Sequence, residues 1–327
     1  MTSGLTRRTA FQLGIAVSLA SARGWAQERG RIYHLGSLFS APRDAPHQIV
    51  LLDGLRRSGF IEGQNLSVDW RGYGLRAEQF DEHAAELVRA PVDVILAGGD
   101  TAVRAAQRAT TEIPILALTD DMLGQGFVRS LAKPGGNTTG VTILASELDG
   151  KRQEILIEAV PGVRRIAALV DSNVSTASHL AALKDAASAR GIELSIHSVV
   201  RAEDIARVID EARALDAKAL NVLASALFFN NRKSIFDRVA ALSLPAMYQW
   251  PEMADEGGLI GYGPSIVQLY RDVQTRQLVS LLHGTKPTDL PVEQPTKFEL
   301  VINLITAKAH GLTLSPLLLA QADRLVE

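Results

Sequence analysis

Val92-Asp93-Val94-Ile95-Leu96-Ala97, followed by Gly98-Gly99-Asp100-Thr101-Ala102, is the stretch of this sequence that decides its fold class. The first six residues are almost all apolar, which is typical of a strand buried on both faces of a parallel sheet. The glycines then turn the chain, and the spacing of apolar residues from Thr101 to Ala109 predicts a helix. A second buried strand, Ile113 to Leu118, follows directly. A strand, a helix and a strand in this order predict a parallel α/β unit.

The same alternation continues on both sides of this unit. Upstream, strands are predicted at 32–39 and 66–70, and helices at 48–58 and 78–89. Downstream, strands and helices alternate again over the segments 166–170, 178–190, 192–199, 202–214, 219–223, 233–242, 245–248 and 259–262. Two such sets in 327 residues predict an α/β fold with two doubly wound lobes, each built on a parallel sheet, around a ligand cleft.

Two irregular stretches mark where the chain passes between the lobes. Residues 133–142 are rich in Pro, Gly and Asn and lie between the two sets, and residues 286–291 contain two further prolines. A long helix is predicted between them at about 266–282, and a strand and a helix at 297–301 and 303–309. We therefore predict that one lobe contains residues 27–142 plus about 264–286. The other lobe then contains residues 143–263 plus about 287–327.

The first 26 residues have the layout of a secretory signal peptide. Arg7 and Arg8 form a charged region, Ala10 to Ala22 is apolar and uncharged, and Gly24-Trp25-Ala26 offers small residues at the two positions that a signal peptidase recognises. The alternative is a membrane anchor, but the apolar run is shorter than the roughly 20 residues that span a bilayer. We expect cleavage after Ala26 and export to a bacterial periplasm, by the general or the twin-arginine route.

Charge and composition exclude several functional classes. The chain has 34 Lys and Arg against 36 Asp and Glu, and removal of residues 1–26 leaves 31 against 36. Nucleic-acid-binding proteins usually have a basic excess, so we expect no nucleic-acid partner. The absence of Cys excludes disulfides, thiolate metal sites and Cys nucleophiles. Because no other uncharged apolar run approaches ~18 residues, we expect the mature protein to be soluble, and we expect a monomer.

The motifs that accompany catalysis or cofactor binding are absent from the sequence. It contains no GxxxxGK[ST] loop, no GxGxxG, no HExxH and no GxSxG. The seven His residues lie far apart, which disfavours a His metal site. Asp120-Asp121 could be an acid/base pair or a metal-ligand pair. The simpler interpretation is that one Asp caps the following turn and the other faces the cleft. We therefore predict a protein that is not an enzyme and has no catalytic residues, no metal and no cofactor.

Short polar residues follow the predicted strands in both sets, where open α/β sheets bind their ligands. Several of them open a helix, whose free N–H groups suit an anion, although simple N-capping by Asp100, Thr101 and Asn173 is the alternative. The sharpest hypothesis is that Thr101 holds a carboxylate while Asp100 and Asp120 hold an amine, which favours a zwitterion. Tyr248, Tyr262 and Phe228 are the candidates for an aromatic ring that stacks on the solute. The full set of predicted ligand-binding residues is Ser40, Gly99, Asp100, Thr101, Asp120, Asp171, Asn173, Ser225, Tyr248 and Tyr262.

Long phrases of the sequence match a known family. The longest runs from Leu290 to Asn303 (LPVEQPTKFELVIN), and others are LAKPGGNTTG at 131–140 and GGLIGYG at 257–263. On these phrases, across essentially the whole mature chain, the protein resembles the substrate-binding proteins of ABC transporters in the TrpX-like (ABC_sub_bind) group. These proteins have a type I periplasmic-binding fold.

The resemblance implies two lobes around a cleft, no catalysis, and delivery of a small solute to an ABC permease in the inner membrane. The best-understood members of the group look like aromatic amino-acid binders, so the implied solute is an amino acid or a related carboxylate. Two loops depart from the family, with Asp171-Ser172-Asn173-Val174 in place of an Asn-Pro pair and Thr119-Asp120-Asp121-Met122 in place of Asp-Pro. The identity of the solute therefore stays open.

Three rivals to a transport role have sequence requirements of their own. An exported solute sensor that acts on a membrane receptor is the main alternative, because it would use the same lobes and cleft. A ligand-responsive transcription regulator would need a DNA-binding helix pair before the first strand, where a signal-like segment precedes Ile32. An exported hydrolase using Asp120-Asp121 would need a nucleophile or metal constellation that the sequence lacks.

Overall fold

The strands of the first predicted set form one sheet. The computed structural model describes residues 30–143 and 145–327, so the predicted signal peptide at 1–26 lies outside the described residues. The helices and strands of the first part are β1 (Tyr33–Leu38), α1 (Pro46–Arg57), β2 (Leu66–Val68), α2 (Phe80–Arg89), β3 (Val94–Gly98), α3 (Asp100–Ala109), β4 (Ile115–Thr119) and β5 (Thr138–Thr142). The five strands are all parallel, in the order β2-β1-β3-β4-β5.

Burial explains why this part of the chain folds as predicted. Every residue of β4, and all of β3 except Gly98, is buried, as expected for strands covered by helices on both faces. In α3 the buried side chains include Ala102, Val103 and Ala106, which recur with helical spacing and pack toward β3 and β4. This amphipathic helix lies against α2 on one side of the sheet.

The second set forms a seven-stranded sheet. Its strands lie in the order β12-β11-β10-β9-β8-β6-β7, and every neighbouring pair is parallel except β10 and β11, which are antiparallel. The helices and strands of this part are α4 (Ala145–Ala159), β6 (Arg165–Asp171), α5 (Ala177–Ser188), β7 (Glu193–Val199), α6 (Ile205–Ala214), β8 (Leu220–Val222), α7 (Ala226–Asn230), α8 (Arg232–Ala241), β9 (Ala246–Tyr248), α9 (Pro251–Asp255), β10 (Ile260–Gly263), α10 (Ile266–Gln268), α11 (Thr275–Leu282), β11 (Glu299–Asn303), α12 (Leu304–Ala309), α13 (Pro316–Gln321) and β12 (Arg324–Val326).

One sequence prediction about the first crossing was wrong. Residues 133–142 were expected to be irregular, but Thr138–Thr142 forms β5, the edge strand of the first sheet. Position 140 requires a glycine because β5 approaches β4 closely. Its φ is +142°, and a Cβ at this position would overlap the backbone carbonyl of Ala117. The glycine that indicated a loop is therefore a strand residue.

The predicted helix at 266–282 is present as α10 and α11, joined by a π-helical turn at Leu269–Gln274. This segment packs against α1, and Nε2 of Gln274 donates a 2.8 Å hydrogen bond to the carbonyl of Ala117. The second crossing was predicted at residues 286–291, but Glu293 still lies beside the first sheet. Its carbonyl accepts a hydrogen bond from the backbone N–H of Thr142, the last residue of β5. The lobe boundaries as such remain a prediction.

The carboxyl ends of the two sheets face a common space. Residues Ile32 to Glu327 form one compact unit, and one hydrophobic cluster includes residues of both sheets. That cluster contains Leu96 and Leu116 from the first sheet and Leu169 and Val222 from the second. The loops after β1, β3 and β4 line one cleft together with the loops after β6 and β8.

Candidate functional site

The turn from β3 into α3 carries an unusual aspartate. Gly99 precedes the helix with a φ of +88°, a conformation that glycine adopts without strain, and Asp100 is the first residue of α3. Asp100 is only 5% exposed, and within the described part of the chain neither of its carboxyl oxygens has a hydrogen-bond partner of standard geometry. Burial raises the pKa of Asp100 to about 7, although the nearby backbone N–H of Asp120 offsets part of the rise.

The loop after β4 adds a second carboxylate. Burial, together with the charges of Asp100 and Asp149, raises the pKa of Asp120 well above its usual range. The neighbouring Asp121 has a local role, because its Oδ1 accepts a 2.8 Å hydrogen bond from the backbone N–H of Gly124. Asp121 thus caps a turn and Asp120 faces the cleft, as the simpler interpretation of this pair predicted.

The third carboxylate comes from the second sheet. Asp171 ends β6 and is held in place on both oxygens. Oδ2 accepts a 2.6 Å hydrogen bond from the hydroxyl of Ser225, and Oδ1 accepts from the backbone N–H and the side-chain amide of Asn173 at 2.9 and 3.0 Å. The carboxyl group of Asp171 therefore has a fixed position opposite the loops of the first sheet.

These loops enclose a cleft of about 300 Å³, which lies at the lower end of the size range of small-molecule sites. The walls come from both sheets, and the other ionisable residues that line the cleft are Arg76, Glu78, Arg201 and Glu203. Seven of the ten predicted ligand-binding residues line it: Ser40, Gly99, Asp100, Thr101, Asp120, Asp171 and Asn173.

The other three predicted residues do not line this cleft. Ser225 is fully buried behind Asp171, where its hydroxyl also accepts a 3.0 Å hydrogen bond from the N–H of Leu227 and so caps α7. Tyr248 is fully buried, and its ring lies edge-on to Phe236 at 5.0 Å. Tyr262 packs in the hydrophobic cluster on the other side of the second sheet.

Side-chain direction explains why the two tyrosines were misplaced. Alternate residues of a strand point to opposite faces, so proximity to the end of a strand does not fix which way a side chain points. Phe228, the third candidate ring, is also core, with 1% of its surface exposed. The predicted stacking role of these three rings is therefore wrong for this cleft.

Sequence reasoning missed the aromatic residues at this site, which are Phe80 in the wall of the cleft and five others in a pocket beside it. A smaller apolar pocket of about 60 Å³ adjoins it, and the two share Ser40, Gly99 and Asp120. The ring of His47 lies 4.8 Å from that of Tyr270, and burial lowers the pKa of His47 to about 4, so this ring is neutral. The residues of this pocket come from distant parts of the chain, and no sequence pattern connects them. Its aromatic residues are Phe39, His47, Phe229, Trp250 and Tyr270.

A buried ion pair lies next to the cleft in α4, a helix that sequence analysis did not predict. Arg152 is completely buried and donates a 2.7 Å hydrogen bond to Asp149. Its guanidinium also donates to the backbone carbonyls of Tyr262 and Gln249, at 2.8 and 3.1 Å, which fixes the ends of β9 and β10. Burial raises the pKa of Asp149, and Arg152 opposes that rise. The positive charge of Arg152 is thus already matched.

Negative charge extends beyond the main cleft. A second cavity of about 550 Å³ shares Asp100 and Asp120 with it, and its wall also includes Asp121, Glu147 and Asp149. Among residues 30–143 and 145–327, however, no three His, Asp or Glu side chains are arranged to hold a metal ion. The carboxylates around the cleft therefore form an acidic wall without the geometry of a metal centre.

Comparison with known proteins relates this chain to a transport family. The model of the family described as ABC transporter substrate binding protein matches residues 44–326. The tyrosine-binding protein of Clostridioides difficile (strain R20291) is 25% identical over 267 residues, which cover 79% of this chain and 74% of that protein.

Two solved structures share the fold. One is the ABC domain in complex with L-Trp from Streptococcus pneumoniae, with a TM-score of 0.78 at 21% identity, covering 90% of this chain and 99% of that one. The other is a periplasmic binding protein/LacI transcriptional regulator from Alkaliphilus metalliredigens QYMF complexed with D-xylulofuranose. It has a TM-score of 0.51 at 13% identity, covering 82% and 96% of the two chains. The predicted fold class, two α/β lobes of the type I periplasmic-binding kind, is confirmed.

Proposed function

The chain belongs to the family of ABC transporter substrate-binding proteins, and we propose that it is the periplasmic component of an importer. In this proposal it captures a small amino-acid-like solute between its two lobes and delivers it to a permease in the inner membrane. The observation that carries the proposal is the cleft itself, whose wall combines Asp100 and Asp120 from the first sheet with Asp171 and Asn173 from the second. A solute that touches both walls would hold the lobes together.

The proposed mechanism is closure of the lobes over the solute. A ligand favours the closed arrangement only through the contacts that it adds there. Contacts between the two sides support this idea. Nε2 of Gln125, after β4, donates a 3.2 Å hydrogen bond to the carbonyl of Val174, after β6. A Cβ added to Gly99 would lie 2.8 Å from the Cβ of Ala226, so the two walls also meet at this point.

The proposed solute class rests on the ligands of related proteins and on the residues that line the cleft. One relative is named a tyrosine-binding protein, and the structurally similar Streptococcus pneumoniae domain was solved with L-Trp. In this chain the cleft offers carboxylates for an amine, and the adjoining apolar pocket offers room for a small apolar group. Both features suit an amine-bearing solute with an apolar part.

The remaining parts of the proposal concern location and chemistry. Every helix in residues 30–143 and 145–327 is too short or too polar to span a bilayer. Cleavage after Ala26 and export to the periplasm remain proposed, because residues 1–26 lie outside the described residues. The family consists of binding components of transporters and not of enzymes, and we propose that this chain, too, performs no catalysis.

Native mass spectrometry of protein purified from the periplasm tests the proposed function. We expect one small molecule per chain, released on denaturation and identified by its mass. Denatured and refolded protein should take up the same molecule again. The proposal would be overturned if the protein purified from the periplasm carries no small molecule and binds no amino acid or amine from a broad panel.

A further inference from the structure

Asp100 is buried in the cleft wall without a counter-charge in contact. It is 5% exposed and lines both the main cleft and the larger acidic cavity. Neither of its carboxyl oxygens has a hydrogen-bond partner of standard geometry among the described residues. A buried carboxylate without close donors is costly to ionise, so a bound group that supplies donors would be favourable here. This side chain therefore lacks a donor that a bound solute can supply.

The position of Asp100 also determines what the start of α3 can bind. The N-terminus of a helix attracts negative charge, which is why a carboxylate was predicted to bind beside Thr101. In the structure the first residue of this ten-residue helix is itself an aspartate facing the cleft. A solute carboxylate at the same place would lie beside the carboxyl group of Asp100, which disfavours a second acidic group there.

The cations around the cleft do not balance its carboxylates. Arg76 and Arg201 line the cleft, but their side chains are 80% and 60% exposed, so they lie at its rim. The nearest acidic partner of Arg201 is Glu203, which lies at 3.3 Å and also lines the cleft. The corresponding partner of Arg76 is Glu78, at 3.9 Å, so each rim arginine has its own carboxylate.

Two further arginines act on the carboxylates from behind the wall. Arg104 lowers the pKa of Asp100 but donates a 2.8 Å hydrogen bond to Gln125. Arg152 lowers the pKa of Asp120 but is bonded to Asp149. The carboxyl groups of Asp100, Asp120 and Asp171 are therefore not balanced by cations inside the cleft.

We propose that the solute of this cleft carries more positive than negative charge, with a protonated amine directed at Asp100, Asp120 and Asp171. Basic amino acids and amines without a carboxylate belong to this class, whereas neutral zwitterions and organic acids do not. The inference rests on the proposed solute-binding function and narrows its substrate class. An organic cation is named because, as described above, the residues that the structure describes form no metal-holding group.

Such a cation would also drive lobe closure. Asp100 and Asp120 belong to one wall and Asp171 to the other, so closing an empty cleft brings carboxyl groups together, at a cost in repulsion or in protonation. A protonated amine between them favours the ionised carboxylates and attracts both walls. The solute would thereby supply the differential contact energy that closure requires.

Two matched probe series test the proposal by titration calorimetry on the purified, ligand-depleted protein. The first is lysine, norleucine and α-aminoadipate, which share an α-amino acid group and differ in the charge at the end of the side chain. The second is tyramine, tyrosine and 3-(4-hydroxyphenyl)propionate, which share a phenol and differ in the charges at the other end. In a series that binds, we expect the cation to bind at least tenfold more tightly than the neutral member, and the acid not to bind.

Asp100→Asn provides the second arm, with Asp237→Asn as its matched control. Asp237 is exposed on α8 and pairs with Lys233, away from the cleft. We expect Asp100→Asn to weaken binding of the cationic probe tenfold or more without lowering thermal stability, and Asp237→Asn to change neither quantity. Loss of stability with unaltered affinity in Asp100→Asn would show that the carboxylate is structural and would overturn the inference.

The outcomes separate the inference from the proposed function. If norleucine, tyrosine or an acid is the tightest binder, the inference fails and the proposed function stands. The inference also fails, and the proposed function stands, if no cationic probe binds but the periplasmic protein retains a neutral or anionic solute. If neither the six probes nor any amino acid or amine of the broad panel binds, and the periplasmic protein is empty, both are overturned.

Discussion

Asp171, the last residue of β6, and Ser225, which follows the neighbouring strand β8, are joined by a 2.6 Å hydrogen bond from the serine hydroxyl to Oδ2 of the carboxylate. Both residues were predicted to contact the ligand, but only Asp171 reaches the cleft. Ser225 lies behind it, fully buried, and fixes the direction of the carboxylate. One predicted ligand-binding residue is thus a positioning residue for another.

Replacing Ser225 with Ala should affect both stability and binding. The change removes a hydrogen bond to a charged group and the cap of α7, so we expect the free energy of unfolding to fall by about 1–3 kcal/mol. We also expect affinity for the tightest of the six probes to fall several-fold, because Asp171 loses one of its donors. Chemical denaturation and calorimetry measure the two effects.

Ser315→Ala is the matched control for this prediction. Ser315 caps α13 in the same way, with its hydroxyl accepting a 3.1 Å hydrogen bond from the N–H of Leu318, and it is not among the residues that line the cleft. This variant should lose about 1 kcal/mol of stability and no affinity. Unchanged affinity in both serine variants would contradict the positioning role of Ser225.

The stability of the empty protein should fall as the pH rises from about 4 to above 7. Burial raises the pKa of Asp100 from 3.8 to about 7, and the charges of Asp121 and Asp171 add to the rise. In this range the folded protein holds a proton that the unfolded chain has released, so folding is penalised as the pH increases. The penalty is at most about 4 kcal/mol, because each pKa unit corresponds to 1.36 kcal/mol.

Thermal unfolding of the empty protein between pH 4.5 and 8, in the wild type and in Asp100→Asn, checks this prediction. The variant cannot ionise at this position, so its melting temperature should vary less with pH and should exceed that of the wild type above pH 7. Asp120, whose pKa is also raised, leaves some pH dependence in both proteins. Identical pH profiles would mean that Asp100 does not carry the effect.

Binding of a cationic probe should release protons. A positive charge beside Asp100 favours the ionised carboxylate, so affinity should increase as the pH rises from about 5.5 to 8. Asp120, Asp121, Asp171 and Arg104 act on the same group and are included in its raised pKa of about 7.

Calorimetry at pH 6.5 in phosphate, PIPES and MOPS measures this proton release, because the apparent binding enthalpy then depends on the ionisation enthalpy of the buffer. A binding enthalpy that is the same in all three buffers, together with an affinity that does not vary with pH, would contradict the prediction. Asp100→Asn should release fewer protons than the wild type.

Gly99→Ala should prevent full closure. The residue has a φ of +88°, and an added Cβ would lie 2.8 Å from the Cβ of Ala226. We expect about 1–3 kcal/mol of backbone strain and, in addition, weaker binding, because the walls can no longer meet at this point. Small-angle scattering with a saturating probe should show a less compact particle than the wild type.

Gly162→Ala separates the two causes. Gly162 has a φ of +76°, and a Cβ there would have nothing within 4 Å, so the variant is strained without touching the opposite wall. It should lose stability but keep the wild-type affinity and the compact liganded shape. Equal loss of affinity in both glycine variants would show that strain, not the contact between the lobes, is responsible.

The sequence by itself determined the fold class and the edge of each sheet where the site lies. Val94 to Gly98 and Ile115 to Thr119 are buried parallel strands because they are almost entirely apolar. Since a ligand site of an open α/β sheet lies beyond its carboxyl ends, the positions of Asp100, Asp120 and Asp171 followed from chain order. Local chemistry of this kind acts over a few residues and is visible in a single sequence.

Tertiary structure alone decided which side chains reach the cleft. Tyr248 and Asp171 both lie at the end of a strand, but one is in the core and the other faces the ligand site, because direction depends on strand register and on the elements packed above it. Likewise, no local pattern indicates that His47 meets Tyr270, or that Asp100 is buried without a partner. Burial and unmatched charge arise only when distant segments pack together, so the sign of the charge that the cleft prefers is a property of the folded protein.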